Sequence, residues 1–319
     1  MPLTVATWNI NSVRPRAETV ARLLREEVPD VLCLQETKAP VELLPRDGFA
    51  ALGYRHVVAR GQKGYNGVMI LSRLPIADAG SHDVCARGDA RHVAARLESG
   101  TVIHNLYIPA GGDLPDPGAN PKFRHKLDFL DELRGRFAEA PPSRAILVGD
   151  LNVAPREDDV WNHKRLLKVV SHTPIEVEAF AAAQGAGGWV DVTRAHAPQG
   201  RLYSWWSYRA PNWAAADKGR RLDHVWATPT SPSAPAAAAS PATSAAGKAR
   251  ATMSRSSPSS RHDRPPRSAA PPLRRRVGRF HAALAGDLLV TGPTGTNVND
   301  FRAILRRLTS DWVGLGTAR

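Results

Sequence analysis

At 319 residues, 42% hydrophobic and 23% charged, the chain has the length of one large α/β domain or two small ones, and its two cysteines argue against a disulfide framework or a cysteine-built zinc site. Its net charge of +13 does not mark the whole chain as basic, because residues 229–319 hold 14 Lys/Arg against 4 Asp/Glu while residues 1–228 hold 29 against 26. No segment is apolar enough to span a bilayer and the N-terminus has no basic, signal-like start, so a cytoplasmic, reducing setting without membrane contact is expected.

In chain order, short apolar runs bounded by turn residues predict strands, and longer segments with helical spacing predict helices. A strand over Leu3–Trp8 leads to a helix over Arg16–Glu27 and a second strand over Val31–Gln35, where Cys33 reads as a small buried hydrophobe. Further strands are expected at Gly67–Ser72, Val93–Leu97 and Val102–Tyr107, then a helix over Pro121–Phe137 and a strand over Ala145–Gly149. A helix over Pro174–Gln184 is introduced by Ser171-His172-Thr173-Pro174, with Glu176 and Glu178 in its first turn where the helix dipole favours acid. Strands over Leu202–Trp206 and Leu222–Ala227 close the pattern. Many short strands with few helices predict two sheets packed face to face with helices outside.

At Pro229 the composition changes. Residues 230–272 contain no Val, Ile, Leu, Phe, Tyr or Trp, so they cannot bury enough apolar surface to offset the entropy of ordering, and disorder is expected. Apolar residues return over Phe280–Leu308.

Four strand ends carry polar groups suited to one chemistry. Trp8-Asn9-Ile10-Asn11 supplies two amides, Leu34-Gln35-Glu36-Thr37-Lys38 a carboxylate, Asn105-Leu106-Tyr107 a phenol, and Gly149-Asp150-Leu151-Asn152 a carboxylate and an amide. Hydrolysing a phosphodiester needs hard oxygen ligands for a divalent cation, a group to deprotonate water, and donors to offset charge on the pentavalent phosphate. Each residue alone is more often a turn or core-edge residue; their joint occurrence in this order favours the catalytic reading.

Together with Gly64-Tyr65-Asn66-Gly67-Val68, Val153-Ala154-Pro155, Trp205-Trp206-Ser207-Tyr208-Arg209 and Arg221-Leu222-Asp223-His224, these stretches resemble the exonuclease III family of the endonuclease/exonuclease/phosphatase superfamily over residues 3–229. The resemblance implies a four-layer α/β sandwich of two mixed sheets, and cleavage beside abasic sites in double-stranded DNA with 3′-to-5′ trimming of ends, by a monomer using Mg²⁺, with Mn²⁺ as an alternative. It assigns Glu36, Asn9 and Asp223 to the metal side. Asp150 orients or deprotonates water, Asn152 holds the scissile phosphate and Tyr107 sits against that phosphate or its leaving oxygen. Trp205, Trp206, Asn11 and Arg221 are assigned to the DNA or sugar pocket. Alternatives are another phosphodiesterase of the superfamily and an inactive duplex-binding remnant.

One family feature is missing. The closing Ser-Asp-His-x-Pro motif, whose imidazole stabilises the pentavalent phosphate, does not follow Asp223, and His262-Asp263 has the reverse order. Read from the third base of the Ala246 codon, degenerate codons for Ala246–Ser257 permit Trp-Glu-Ser-Pro-Ser-Asp-His-Val-Pro-Val-Ile. The same shift after Pro229 permits Asp-Leu-Ala. We therefore read a change of frame at or just after Pro229, in the gene or in its sequencing; the alternative is a basic tail that raises non-specific DNA affinity. Residues 1–229 are thus the nuclease domain without its final strand, 230–279 a frameshifted segment, and 280–319 a short fragment whose Gly286–Asp300 stretch resembles the C-terminal end of glycerate 2-kinases. Impaired activity is expected.

Overall fold

The computed structural model describes residues 3–207, 216–229, 288–291 and 302–308. The chain divides into two compact units, Met1–Thr230 with Val277–Arg319 and Ser231–Arg276; the second lies outside the described residues, as do His262-Asp263 and most of the 280–319 stretch.

The first unit is built on two six-stranded sheets. One contains β1 (Leu3–Asn9), β2 (Val31–Gln35), β3 (His56–Arg60), β4 (Val68–Ser72), β13 (Leu288–Thr291) and β14 (Arg302–Leu308), in the order β13-β14-β1-β2-β4-β3. The other contains β5 (Ile76–Gly80), β6 (His92–Leu97), β7 (Val102–Tyr107), β8 (Ala145–Asp150), β9 (Val190–Asp191) and β12 (Asp223–Ala227), in the order β5-β6-β7-β8-β12-β9. A short ribbon pairs β10 (Trp205–Trp206) with β11 (Gly219–Arg220). The helices are α1 (Ala17–Glu27), α2 (Arg46–Ala50), α3 (Pro121–Glu139), α4 (His163–Leu166), α5 (Pro174–Ala186) and α6 (Val192–His196).

Alternation along the strands sorts the apolar side chains into layers. Val5, Val31, Cys33, Val68 and Ile70 from one sheet meet Val93, Ile103, Ile146, Val148 and Val225 from the other in a buried middle core. On the outer face of the first sheet, Ala6, Trp8, Leu32 and Leu34 receive Val20, Leu23 and Leu24 of α1, each large side chain stabilising by about 1.5–3 kcal/mol. On the outer face of the second, Leu106 and Leu147 pack against Phe129, Leu130 and Leu133 of α3 and Phe180 of α5. The result is the four-layer α/β sandwich expected from the sequence. Among the described residues no helix is long and apolar enough to cross a membrane.

The structure pairs β1 antiparallel with β14, from Leu3↔Leu308 to Thr7↔Ala303. A ladder requires only main-chain donors and acceptors, so an extended segment can fill this edge whatever its side chains. The edge strands β3 and β5 escaped the sequence reading. In β5 the central Ala77, Asp78 and Ala79 are exposed, so little apolar pattern announces it.

Register brings the catalytic strand ends together. Asn9 is opposite Gln35 in the parallel β1–β2 pair, Tyr107 is opposite Asp150 in the parallel β7–β8 pair, and Asp223 is opposite Asp150 across the antiparallel β8–β12 pair. Gly149 makes this register possible: a Cβ there would lie 1.9 Å from the carbonyl oxygen of Leu106.

Candidate active site

Glu36 immediately follows β2 and Asn152 lies two residues past β8; both have φ of 54°, in the left-handed region. That conformation costs a non-glycine residue about 1–2 kcal/mol and is held here by local bonds. The amide of Ser12 donates to Glu36 O at 2.7 Å, and that of Asn152 to Leu222 O at 3.1 Å. The left-handed turn breaks strand alternation and redirects each side chain over the sheet edge.

Asn9 joins the two sheets: its Nδ2 donates to Glu36 Oε1 and to Asp150 Oδ2, each at 2.8 Å, while its Oδ1 accepts from the amide of Asn11 at 3.1 Å. The Tyr107 hydroxyl donates to Glu36 Oε1 at 2.8 Å, and Lys38 Nζ lies 2.7 Å from Glu36 Oε2. Arg91 sits over the Tyr107 ring at 4.8 Å. The amide of Asn152 donates to Asp150 Oδ1 at 3.2 Å, and its side-chain Nδ2 to Ile108 O at 3.0 Å. Glu36, Asn9, Tyr107, Asp150 and Asn152 thus form one connected cluster.

Its electrostatics are uneven. Burial alone would raise Glu36, but hydrogen bonds from Asn9 and Lys38, the Lys38 charge and the Tyr107 hydroxyl hold it below the usual carboxylate range. Burial pushes Asp150 upward despite the Asn9 hydrogen bond, and Glu36 adds to the rise. Asp223 is pushed up well above its ordinary value by burial and by Asp150 opposite it, and its Oδ1 is buried without a hydrogen-bond partner. Burial and the neighbouring Glu36 and Asp150 charges keep Tyr107 a neutral phenol.

This donor set fits a hard divalent cation. Among the described residues no three His, Cys, Asp or Glu are spaced as a complete ligand cage. Mg²⁺ needs no such cage: it binds through one or two carboxylates and keeps several waters. Glu36 offers a low-pKa carboxylate, and Asp223, with one buried oxygen unpartnered beside Asp150, is a second carboxyl whose ionisation a cation would favour.

The predicted pocket residues fare differently. Asn11 stays at the site, its Oδ1 accepting from Lys38 Nζ. Trp205 packs on the cluster of Val160, Leu166 and Leu222, with the Arg220 guanidinium 5.3 Å from its ring centre; Trp206 donates to Asp217 Oδ1 at 2.9 Å. Arg221 requires correction as a DNA-pocket residue. It is 2% exposed, forked onto Asp159 through Nε at 2.7 Å and Nη2 at 2.9 Å, with Nη1 2.8 Å from Asp191 Oδ2. Neighbouring residues on an extended chain face opposite ways, so Arg220, not Arg221, lies toward Trp205. Sequence reasoning also passed over Lys38 and Lys126. Lys38 was visible beside Glu36; Lys126 had only a helical position to mark it.

The chain is similar to known proteins over most of its length. The profile of the "Endonuclease/Exonuclease/phosphatase family" matches residues 6–262. The DNA repair nuclease APEX1 of Danio rerio is 29% identical over 233 residues, 70% of this chain and 72% of that protein. Exodeoxyribonuclease III of Haemophilus influenzae is 29% identical over 233 residues, 69% of this chain and 85% of that protein. Among solved structures, an AP endonuclease from Archaeoglobus fulgidus superposes with a TM-score of 0.66 at 33% identity, covering 71% of this chain and 87% of that one. The 3′ phosphatase NExo from Neisseria, bound to a product DNA hairpin, gives 0.64 at 28% identity, covering 71% and 87%.

Proposed function

Because the chain belongs to the endonuclease/exonuclease/phosphatase family and is similar to DNA-repair nucleases of the exonuclease III type, we propose that it is a Mg²⁺-dependent phosphodiesterase, with Mn²⁺ as an alternative, acting on duplex DNA at abasic sites and at 3′ ends as a monomer. The observation that supports this reading most is the hydrogen-bonded cluster of Asn9, Glu36, Tyr107 and Asp150, drawn from strand ends of both sheets.

Glu36 and Asn9 would hold the cation, with Asp223 on the same side. When bound, Mg²⁺ supplies charge stabilisation at a phosphate oxygen. Asp150, raised by burial, is suited to accept a proton from water as it attacks. Asn152 offers a side-chain donor toward the phosphate, and the neutral Tyr107 hydroxyl can donate to the phosphate or the leaving oxygen.

The same reading includes impairment. Asp223 carries a buried carboxylate oxygen without a donor, and the imidazole expected from the closing family motif is missing from the sequence. Loss of such a group lowers turnover by about 10²–10⁴.

The test is cleavage of an abasic-site duplex and of a duplex ending in a 3′-phosphate, with Mg²⁺ and with EDTA, by the full chain and by Glu36→Gln. Slow, metal-dependent cleavage abolished by Glu36→Gln is expected. Salt-sensitive duplex binding with no cleavage, unchanged in Glu36→Gln, would instead establish a DNA-binding remnant. Preference for a phospholipid substrate over both duplexes would point to another phosphodiesterase of the family.

A further inference from the structure

We propose that the buried Lys126–Glu176 ion pair is a positioning device for Asn152, fixing the main chain of the loop that presents it. The inference rests on the reading above, in which Asn152 meets the scissile phosphate.

Lys126 on α3 and Glu176 in the first turn of α5 are both 0% exposed. Lys126 Nζ donates to Glu176 Oε2 and, at 2.7 Å, to the main-chain carbonyl of Asn152. The other Glu176 oxygen accepts from Ser171 N at 2.7 Å, Thr173 N at 2.9 Å and Thr173 Oγ1 at 2.8 Å. The ammonium is therefore locked to a carboxylate that is itself locked to a helix N-terminus. Asn152 sits at φ of 54°, a left-handed conformation that asparagine adopts more readily than other residues with a Cβ, and the lock on its carbonyl fixes the direction in which this turn presents its side chain. Two bonds on its amide and one from its side chain to Ile108 O hold the other polar groups of the same residue.

Stability does not explain the pair. Replacing a buried ion pair with apolar groups of similar volume is often neutral or stabilising, whereas removing one partner leaves a costly lone charge. What an apolar pair cannot do is donate to the Asn152 carbonyl. Lys126 is thus a positioning residue, acting on the phosphate through Asn152.

The experiment compares the full chain with Lys126→Met, Glu176→Leu and the double variant, by urea denaturation, hydrogen exchange and turnover of an abasic duplex. Each single variant should lose stability, and the double variant should regain the part due to the lone charge but not the part due to Ser171 N, Thr173 N and the Asn152 carbonyl, which lose their partners. In the double variant the amides of residues 151–154 should exchange about tenfold faster, with those of 145–149 unchanged. Its kcat should fall about 10–100-fold with KM within about twofold, the signature of misplacement at the reacting centre. Wild-type exchange at 151–154 in the double variant, or a loss confined to KM, would overturn the proposal. If the double variant does not fold, Lys126→Met, which removes the donor to the Asn152 carbonyl and leaves the Glu176 cap in place, is read by the same two measurements. Should the unaltered chain show no turnover, the nuclease reading fails while the exchange result still decides whether Lys126 orders this loop.

Discussion

The side-chain amide of Asn9 donates at 2.8 Å to Asp150, 141 positions away in the chain, and with the same nitrogen to Glu36. One short side chain therefore sets the spacing between the carboxylate at the end of β2 in one sheet and that at the end of β8 in the other. Asn9→Ala should lower kcat on an abasic duplex by about 10²–10³, as loss of a preorganised donor does elsewhere. A thermal melt should move little, since the two carboxylates gain access to water.

Metal affinity can be read without turnover. A ligand that binds only the folded state stabilises it by mass action, so Mg²⁺ at about ten times its dissociation constant adds about 1.4 kcal/mol. The melting temperature should rise by about 3–5 °C between EDTA and saturating Mg²⁺. Glu36→Gln should abolish the rise; an equal rise in that variant would remove Glu36 from the metal side.

Arg221 is a keystone of the interior. Its guanidinium satisfies Asp159 and Asp191 and accepts the company of His224 Nδ1 at 3.1 Å, while His224 Nε2 bonds Val153 O at 2.8 Å. Arg221→Leu leaves Asp191 without its arginine and Asp159 with Arg194 alone, and should cost about 3 kcal/mol in urea denaturation. The salt dependence of duplex binding should stay unchanged. A shallower slope would return Arg221 to the DNA surface.

A column of histidines makes the fold acid-sensitive. His92 Nδ1 accepts from the amide of His82 at 3.0 Å, and His92 Nε2 lies 3.1 Å from His104 Nδ1, so both inner rings are held neutral. Burial, then the charge of His82 and Arg96, pushes His104 down to about 4. A depressed histidine means that the unfolded chain binds the proton first as pH falls, so stability is complete above about 6.5 and drains away between about 6.5 and 4. The urea midpoint should drop across that window, and in His104→Gln the loss should shrink by about 2–3 kcal/mol. A flat profile in the unaltered chain would refute the assignment.

The frame can be tested at two levels. Bases that do not spell Ser-Asp-His across codons 250–253 in the shifted frame would defeat the idea at once. If they do, a chain translated in that frame after Pro229 should turn over abasic DNA about 10²–10⁴ faster than the present one. Equal rates would mean that the buried Asp223 oxygen needs no imidazole.

Much of the site could be read from local sequence because its residues follow strands. Glu36 after Val31–Gln35 and Asp150 after Ala145–Gly149 stand where an apolar run stops, and the parallel pairs β1–β2 and β7–β8 align such ends within each sheet. The start of α5 was equally legible from Thr173-Pro174 and Glu176, and the structure makes it a capping box. Less legible was anything decided by a partner far along the chain. Nothing near Arg221 marks Asp159 as its counter-ion, so the sequence reading assigned it to the DNA pocket and the fold places it in the interior. The same holds for Lys126, whose carboxylate lies on another helix.

The sequence by itself determined the layered α/β class, the strand ends that carry chemistry and the break at Pro229, because periodicity, turn residues and composition are local properties. Only the tertiary structure decided that Asn9 ties Glu36 to Asp150, that Arg221 is buried while Arg220 faces Trp205, and that β14 lies against β1. Those outcomes depend on register and on the low-dielectric interior, where a charge must find its partner wherever the chain has carried it.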